Sequence, residues 1–308
     1  MIKMSYKNIL ILFFIFVSTQ QLFAEEIQCR PYEVIKVNFT GPNKFSNGLL
    51  WKVTGNNDED KGYIFGTIHV DDQVILDLPE PVISSLKKAN YFVMEAIPSP
   101  EDAIEFSNLM FFTDGNRLDT LLSKEIFNKT VSILEMYGLT RELIENMKPW
   151  AAYIVMSYPV NMKIILDLHL LQMAQNNGAQ VSGLESSREQ ISIFSDIDIN
   201  QQVRILVDTV CHHETFLTDM NELKKLYLER DLKGLYYYSQ RYTFGDDSIY
   251  EKISQNLIAD RNFRMVERMS KTLETGHAFI AVGAMHLPGE NGILNILEQN
   301  NYKVVRVY

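Results

Sequence analysis

The sequence predicts an α/β fold, a mixed sheet formed by the N- and C-terminal regions with a large helical middle. Three observations predict it. Short apolar runs bounded by turn residues occur near the start and again near the end of the chain. A strand, a helix and a second strand follow one another between Gly62 and Met94, the alternation of an α/β sheet rather than a sandwich. Between Leu118 and Glu274, apolar residues recur at helical spacing. An up-and-down bundle explains that middle but not the strand-like ends.

Composition sets the bounds. The chain has 308 residues, 39 acidic against 29 basic, with 46% hydrophobic residues. It is too apolar for disorder. A net charge of -10 without a Lys/Arg run argues against a nucleic-acid partner. The 15 Tyr and 17 Phe supply a sizeable core.

The first 24 residues read as a signal peptide. Lys3 and Lys7 precede the apolar run Ile9–Val17, and Leu22-Phe23-Ala24 forms the cleavage site. The run falls far short of the roughly 20 residues that span a bilayer, although an uncleaved anchor is the alternative. Residues 25–308 then form the mature chain, periplasmic or secreted, with no stable transmembrane segment expected. Cys29 and Cys211 either pair after export or remain two separate thiols.

The elements follow in order. Tyr32–Asn38 is a strand candidate, and Leu49–Val53 and Gly62–Gly66 form a strand pair around a polar turn. Pro79 and Pro81 open the helix Val82–Asn90, and Tyr91–Met94 is a buried strand ending at Glu95. Helices are expected at Leu118–Leu122, Lys124–Tyr137, Thr140–Met147 and Ile165–Asn176, the last stopped by Asn177-Gly178. Val181–Leu184 is a short strand leading to Glu185. Helices at Asn200–Leu217, Met220–Glu229 and Leu232–Tyr238 precede one long amphipathic stretch, Ser248–Glu274. Ala278–Gly283 is the clearest buried strand, and Ile293–Gln299 and Tyr302–Val307 give a last helix and strand.

Two distant segments share a pattern. Ile64–His69 and Ala281–His286 each place an apolar strand before Gly-x-x-His. Residues just beyond strand ends line the usual crevice of such a sheet. Glu95 and Glu185 end two further apolar runs. Two imidazoles and a carboxylate, His69, His286 and Glu95, can hold a divalent metal ion and leave a position for water. The remaining carboxylate can take a proton. Taken singly, each residue has a plainer role: His69 in a turn, Glu95 as a helix cap, Glu185 paired with Arg188.

The ordered motifs resemble the TraB/GumN family, which includes the Tiki-type proteases, and most resemble its bacterial GumN-like branch. The resemblance rests on LWKV at Leu50–Val53, YIFGTIHV at Tyr63–Val70, FVME at Phe92–Glu95 and MKPW at Met147–Trp150. It continues through VSGLES at Val181–Ser186, Arg261-Asn262, and the segment Phe279–Val307. No linker divides residues 25–308, which are expected to form a single domain; the resemblance, over roughly residues 49–307, implies a metal-dependent hydrolase acting on a peptide or protein substrate, with manganese or cobalt as the supporting ion. It marks His69 and His286 as metal residues, with Glu95 and Glu185 as site carboxylates. It adds Arg261 and Asn262, either orienting a carbonyl and stabilising oxygen charge or forming a buried salt bridge and helix-end hydrogen bonds. Asp167 remains where the family often has Gly-Val-Asp, although Ile165 stands in place of the glycine. The alternative function is a noncatalytic envelope or host-facing binding protein on the same fold.

Other constellations carry less. In Cys211-His212-His213-Glu214, adjacent helical side chains diverge by about 100°, which disfavours one compact metal site. There is no Gly-x-Ser-x-Gly elbow, Walker loop or dinucleotide fingerprint, so no organic cofactor is expected.

Overall fold

The computed structural model describes residues 29–308 apart from 32, 35–37, 56, 241 and 244–247. The leader reading of residues 1–24 and most of the Tyr32–Asn38 strand candidate lie outside the described residues.

Eight strands are described: β1 (Glu33–Val34), β2 (Leu50–Thr54), β3 (Asp60–Thr67), β4 (Tyr91–Met94), β5 (Gln180–Gly183), β6 (Tyr242–Thr243), β7 (Ala278–Gly283) and β8 (Lys303–Arg306). Six of them form one sheet in the order β5-β4-β7-β3-β2-β8, while β1 and β6 pair separately. The first four strands in that order are mutually parallel, and β2 and β8 are added antiparallel. The sheet is therefore mixed and closes the N-terminal region against the C-terminal one.

Residues 278–282 of β7 are all buried between β4 and β3, as a central parallel strand covered on both faces requires. Phe65, Phe92 and Phe279 meet across these three strands. Gly62 lies opposite Ala278 with a φ of +133°, and a Cβ there would stand 2.0 Å from the Ala278 carbonyl oxygen. Only glycine lets β3 approach β7 at this point.

The helical middle has a hydrophobic cluster of its own, built from Leu118, Phe127, Leu134, Trp150 and Leu206 among others. A second cluster surrounds the sheet. Two expected helices are divided. The Asn200–Leu217 stretch breaks at His212, between the helices Ile199–Cys211 and His213–Leu228. The Ser248–Glu274 stretch passes through a π-helical turn at Gln255–Ala259 before the helix Asp260–Thr275. Such a turn widens the helix and shifts the face that follows it. Arg261 and Asn262 stand immediately beyond it, both buried.

Cys29 and Cys211 form a disulfide with a Cα–Cα separation of 5.7 Å. It fastens the start of the described chain to the end of the Ile199–Cys211 helix. His212 Nε2 and the Arg30 carbonyl oxygen lie 2.8 Å apart beside it.

Candidate active site

The four parallel strands all end on one side of the sheet. Thr67 aligns with Gly283, and Met94 aligns with both Ala281 and Gly183. Residues just past those ends are His69, His286, Glu95 and Glu185. The ladder continues past β5, because the Glu185 amide donates to the Glu95 carbonyl at 2.7 Å. The two carboxylates thus leave neighbouring backbones.

Arg261 joins them. Its Nη2 donates to Glu95 Oε2, and its Nε and Nη2 donate to Glu185 Oε2 at 2.9 and 2.7 Å. Arg264 Nη2 reaches Glu185 Oε1 at 3.3 Å, and Gln190 Nε2 lies 3.4 Å from an oxygen of each carboxylate. The Gly283 amide donates to Glu95 Oε1 at 2.7 Å. A buried carboxylate pair is stable only when its charge is compensated in this way.

The imidazole of His286 is fixed from the other side. Asn262 Nδ2 donates to the Asn291 carbonyl at 2.7 Å, which turns the amide oxygen toward His286 Nδ1 at 2.6 Å. An amide oxygen only accepts, so Nδ1 carries the proton and Nε2 presents its lone pair. That lone pair lies 3.3 Å from Arg261 Nη1 and 3.7 Å from Glu95 Oε1. Burial pushes the imidazole down to about 4, keeping it neutral near pH 7. Burial alone would raise the Glu95 carboxyl. His286, which becomes charged in acid below about 4, together with the Arg261 and His69 charges and the Gly283 amide, instead holds it at about 2.

His69 is set differently. Its side chain is 43% exposed at the mouth of the cluster, with Nδ1 3.3 Å from Asp167 Oδ2. The surrounding protein would depress the ring, but Asp167 and then Glu95 override that and lift it to about 9. His69 and His286 each act on Glu95 electrostatically, so all three belong to one charge system.

His69, Glu95, Glu185, Arg261, Asn262 and His286 therefore lie in one region. The plainer pairing of Glu185 with Arg188 does not form; Arg188 reaches Glu105 instead. Arg261 does form the buried salt bridge that was one of its two readings. Asp167, Gln190 and Thr67 were not identified as site residues. Gln190 carried no signal in the sequence. Asp167 did: with Leu170, Leu171 and Ala174 it occupies the buried face of its helix, where a lone carboxylate needs a partner.

Among the described residues, no three His, Cys, Asp or Glu side chains converge at metal-holding spacing. The Arg261 guanidinium, bonded to both Glu95 and Glu185, already supplies positive charge at these carboxylates. The donor chemistry nonetheless suits a divalent ion. His286 offers an unprotonated Nε2 and Glu95 a carboxylate, while His69, with Nδ1 toward Asp167, would offer Nε2 once a bound cation displaces its second proton.

The profile of the TraB/PrgY/gumN family matches residues 49–306, which include every residue of the site. The chain belongs to the TraB/PrgY/gumN family. Similar proteins include Metalloprotease TIKI2 of Danio rerio, 24% identical over 85% of this chain and 61% of the relative. Metalloprotease TIKI1 of Xenopus tropicalis is also 24% identical, over 84% of this chain and 61% of the relative. YbaP of Escherichia coli K12, an uncharacterized protein, is 23% identical over 76% of this chain and 87% of its own length. The chain thus spans about three-fifths of the Tiki relatives. No solved structure matches it significantly. Among the described residues of this family member, no helix is long and apolar enough to cross a membrane.

Proposed function

We propose that this family member is a metal-dependent peptide hydrolase acting in the periplasm or outside the cell. The observation that carries the reading is the convergence of His69, Glu95, Glu185 and His286 at parallel strand ends, with Nε2 of His286 deprotonated beside Glu95. Membership of a family with metalloprotease relatives supports peptides as the substrate class and a divalent ion as the cofactor, with manganese or cobalt the ion that the sequence resemblance implies. The leader-like first 24 residues and the Cys29–Cys211 disulfide support an oxidising compartment.

His69, His286 and Glu95 would hold the ion. When bound, the ion supplies Lewis acidity toward water and toward a peptide carbonyl. Glu185, one contact farther from His286, would take the proton released by the attacking water and return it to the amine that departs as the peptide C–N bond breaks. Arg261 leaves its carboxylate contacts in part to orient the scissile carbonyl and to offset oxygen charge. Asn262 keeps the Nδ1 proton of His286 in place throughout.

Chelation should abolish peptide cleavage by the purified mature protein, and one divalent ion should restore it. His69→Ala and His286→Ala should each remove it. Cleavage indifferent to chelator and to both substitutions would overturn the reading. One observation favours the noncatalytic alternative: Arg261 already bonds both carboxylates, and Arg264 adds a second cation to Glu185. A folded protein that cleaves nothing in a broad peptide and ion screen, yet binds an envelope or host protein saturably, would establish that alternative.

A further inference from the structure

The two Gly-x-x-His imidazoles are oriented by partners of different charge. His286 leans on the amide of Asn262, whereas His69 faces the carboxylate of Asp167. Asp167 is 3% exposed and comes from the first turn of the helix Leu166–Asn176, outside the sheet. Its Oδ1 is held by the Thr67 hydroxyl at 2.6 Å. Thr67 is buried at the last position of β3, two residues before His69. Asp167 Oδ2 is buried and has no well-aligned hydrogen-bond donor, with His69 Nδ1 at 3.3 Å. A buried carboxylate oxygen left in that state is costly, so its place needs a reason. Catalytic hydrogen bonds are often long in an empty site and tighten when a ligand binds.

We propose that Asp167 is the positioning residue of His69, accepting the Nδ1 proton so that Nε2 faces the reactive cavity. Thr67 fixes Asp167 in turn, so the end of β3 supplies the group that locks the orienting partner and the turn just after it supplies the imidazole. The inference deepens the metal-hydrolase reading and rests on it for the identity of the ligand at Nε2, while the His69–Asp167 contact is testable without any ion. Carboxylates that orient a ligating imidazole contribute on the order of 10–100-fold to metal affinity.

The first measurement needs no substitution in Asp167. In metal-free protein labelled with ¹⁵N-histidine, His69 should give a slowly exchanging, far-downfield Nδ1 proton, assigned by its loss in His69→Gln. That resonance should vanish in Asp167→Ala and persist in Glu298→Gln, a control in the exposed pair with Lys44. Cobalt titration, followed by visible absorbance, should then show roughly 10–100-fold weaker binding for Asp167→Ala. Asp167→Asn, which keeps one accepting oxygen and the side-chain volume, should recover part of it. Absence of the resonance from folded wild-type protein, or its survival in Asp167→Ala, overturns the positioning role. Wild-type protein that shows the resonance but binds no cobalt instead overturns the metal reading and leaves the orienting contact standing.

Discussion

Arg261 is the residue on which the site's charge balance turns. Its guanidinium satisfies an oxygen of Glu95 and two contacts to Glu185, whose side chain is fully buried. Arg261→Met should cost about 3–5 kcal/mol in urea unfolding, because two buried carboxylates lose their counter-charge. Part of the loss should return at low pH, where the carboxyls protonate. The two imidazoles predict opposite pH limbs in metal-free protein. His286 is depressed from 6.5 to about 4, so its contribution is complete above 6.5 and fades as pH falls toward 4. Glu95, held at about 2, adds a loss as pH drops from 4.5 through 2. His69 is raised from 6.5 to about 9, so its contribution is present below 6.5 and is lost as pH rises through 9. Stability measured in urea should therefore peak near pH 6.5. His286→Gln should flatten the limb between 6.5 and 4, and His69→Gln should flatten the alkaline one.

At the scale of elements, the repeated Gly-x-x-His turns look alike in sequence but use their glycines differently. A Cβ on Gly66 would stand 2.8 Å from Leu287 Cδ1 and 3.1 Å from Ala284 Cα, so the second turn packs against the first. A Cβ on Gly283 would instead stand 3.2 Å from Glu95 Oε1. Gly66→Ala should therefore lower stability by about 1–3 kcal/mol through overpacking, read by thermal melting. Gly283→Ala should disturb the Glu95 carboxylate first, lowering peptide cleavage more than melting temperature. Gly62→Ala should prevent native pairing of β3 with β7 altogether, since the clash falls on backbone; the expected readout is loss of soluble folded protein. The inner strands β3, β4 and β7 were legible because each carries a short apolar run ended by a turn residue, whereas the edge strands β5 (Gln180–Gly183) and β8 (Lys303–Arg306) are largely exposed. The π-helical turn at Gln255–Ala259 was not legible, because its apolar spacing reads as one continuous helix.

The whole molecule is tied by long-range links as well as by its two hydrophobic clusters. The Cys29–Cys211 disulfide closes a sequence separation of 182 residues, and Arg30 meets Asp208 alongside it. Constraint of so long a loop in the unfolded chain predicts that reduction, or replacement of both cysteines by serine, costs about 2–5 kcal/mol. The measurement is the shift of the urea midpoint with and without reductant. An unchanged midpoint would mean that the clasp adds nothing beyond the Arg30 and His212 contacts.

Chemistry with a local signature was determined by the sequence alone: the strand ends, the two Gly-x-x-His turns, the carboxylates after apolar runs, and family motifs in a recognisable order. Only the tertiary structure decided which groups touch. Pairing of Cys29 with Cys211 depended on a distance that no spacing encodes, and the sequence left Arg261 open as a counter-ion or a substrate contact. Asp167 had a local clue in its place on a buried helix face, but its meeting with Thr67 and His69 required the helix to dock on the sheet. Periodicity reports which face of an element avoids water. It carries no information about which buried polar groups satisfy one another across elements, and that cross-element pairing is what makes these residues a site.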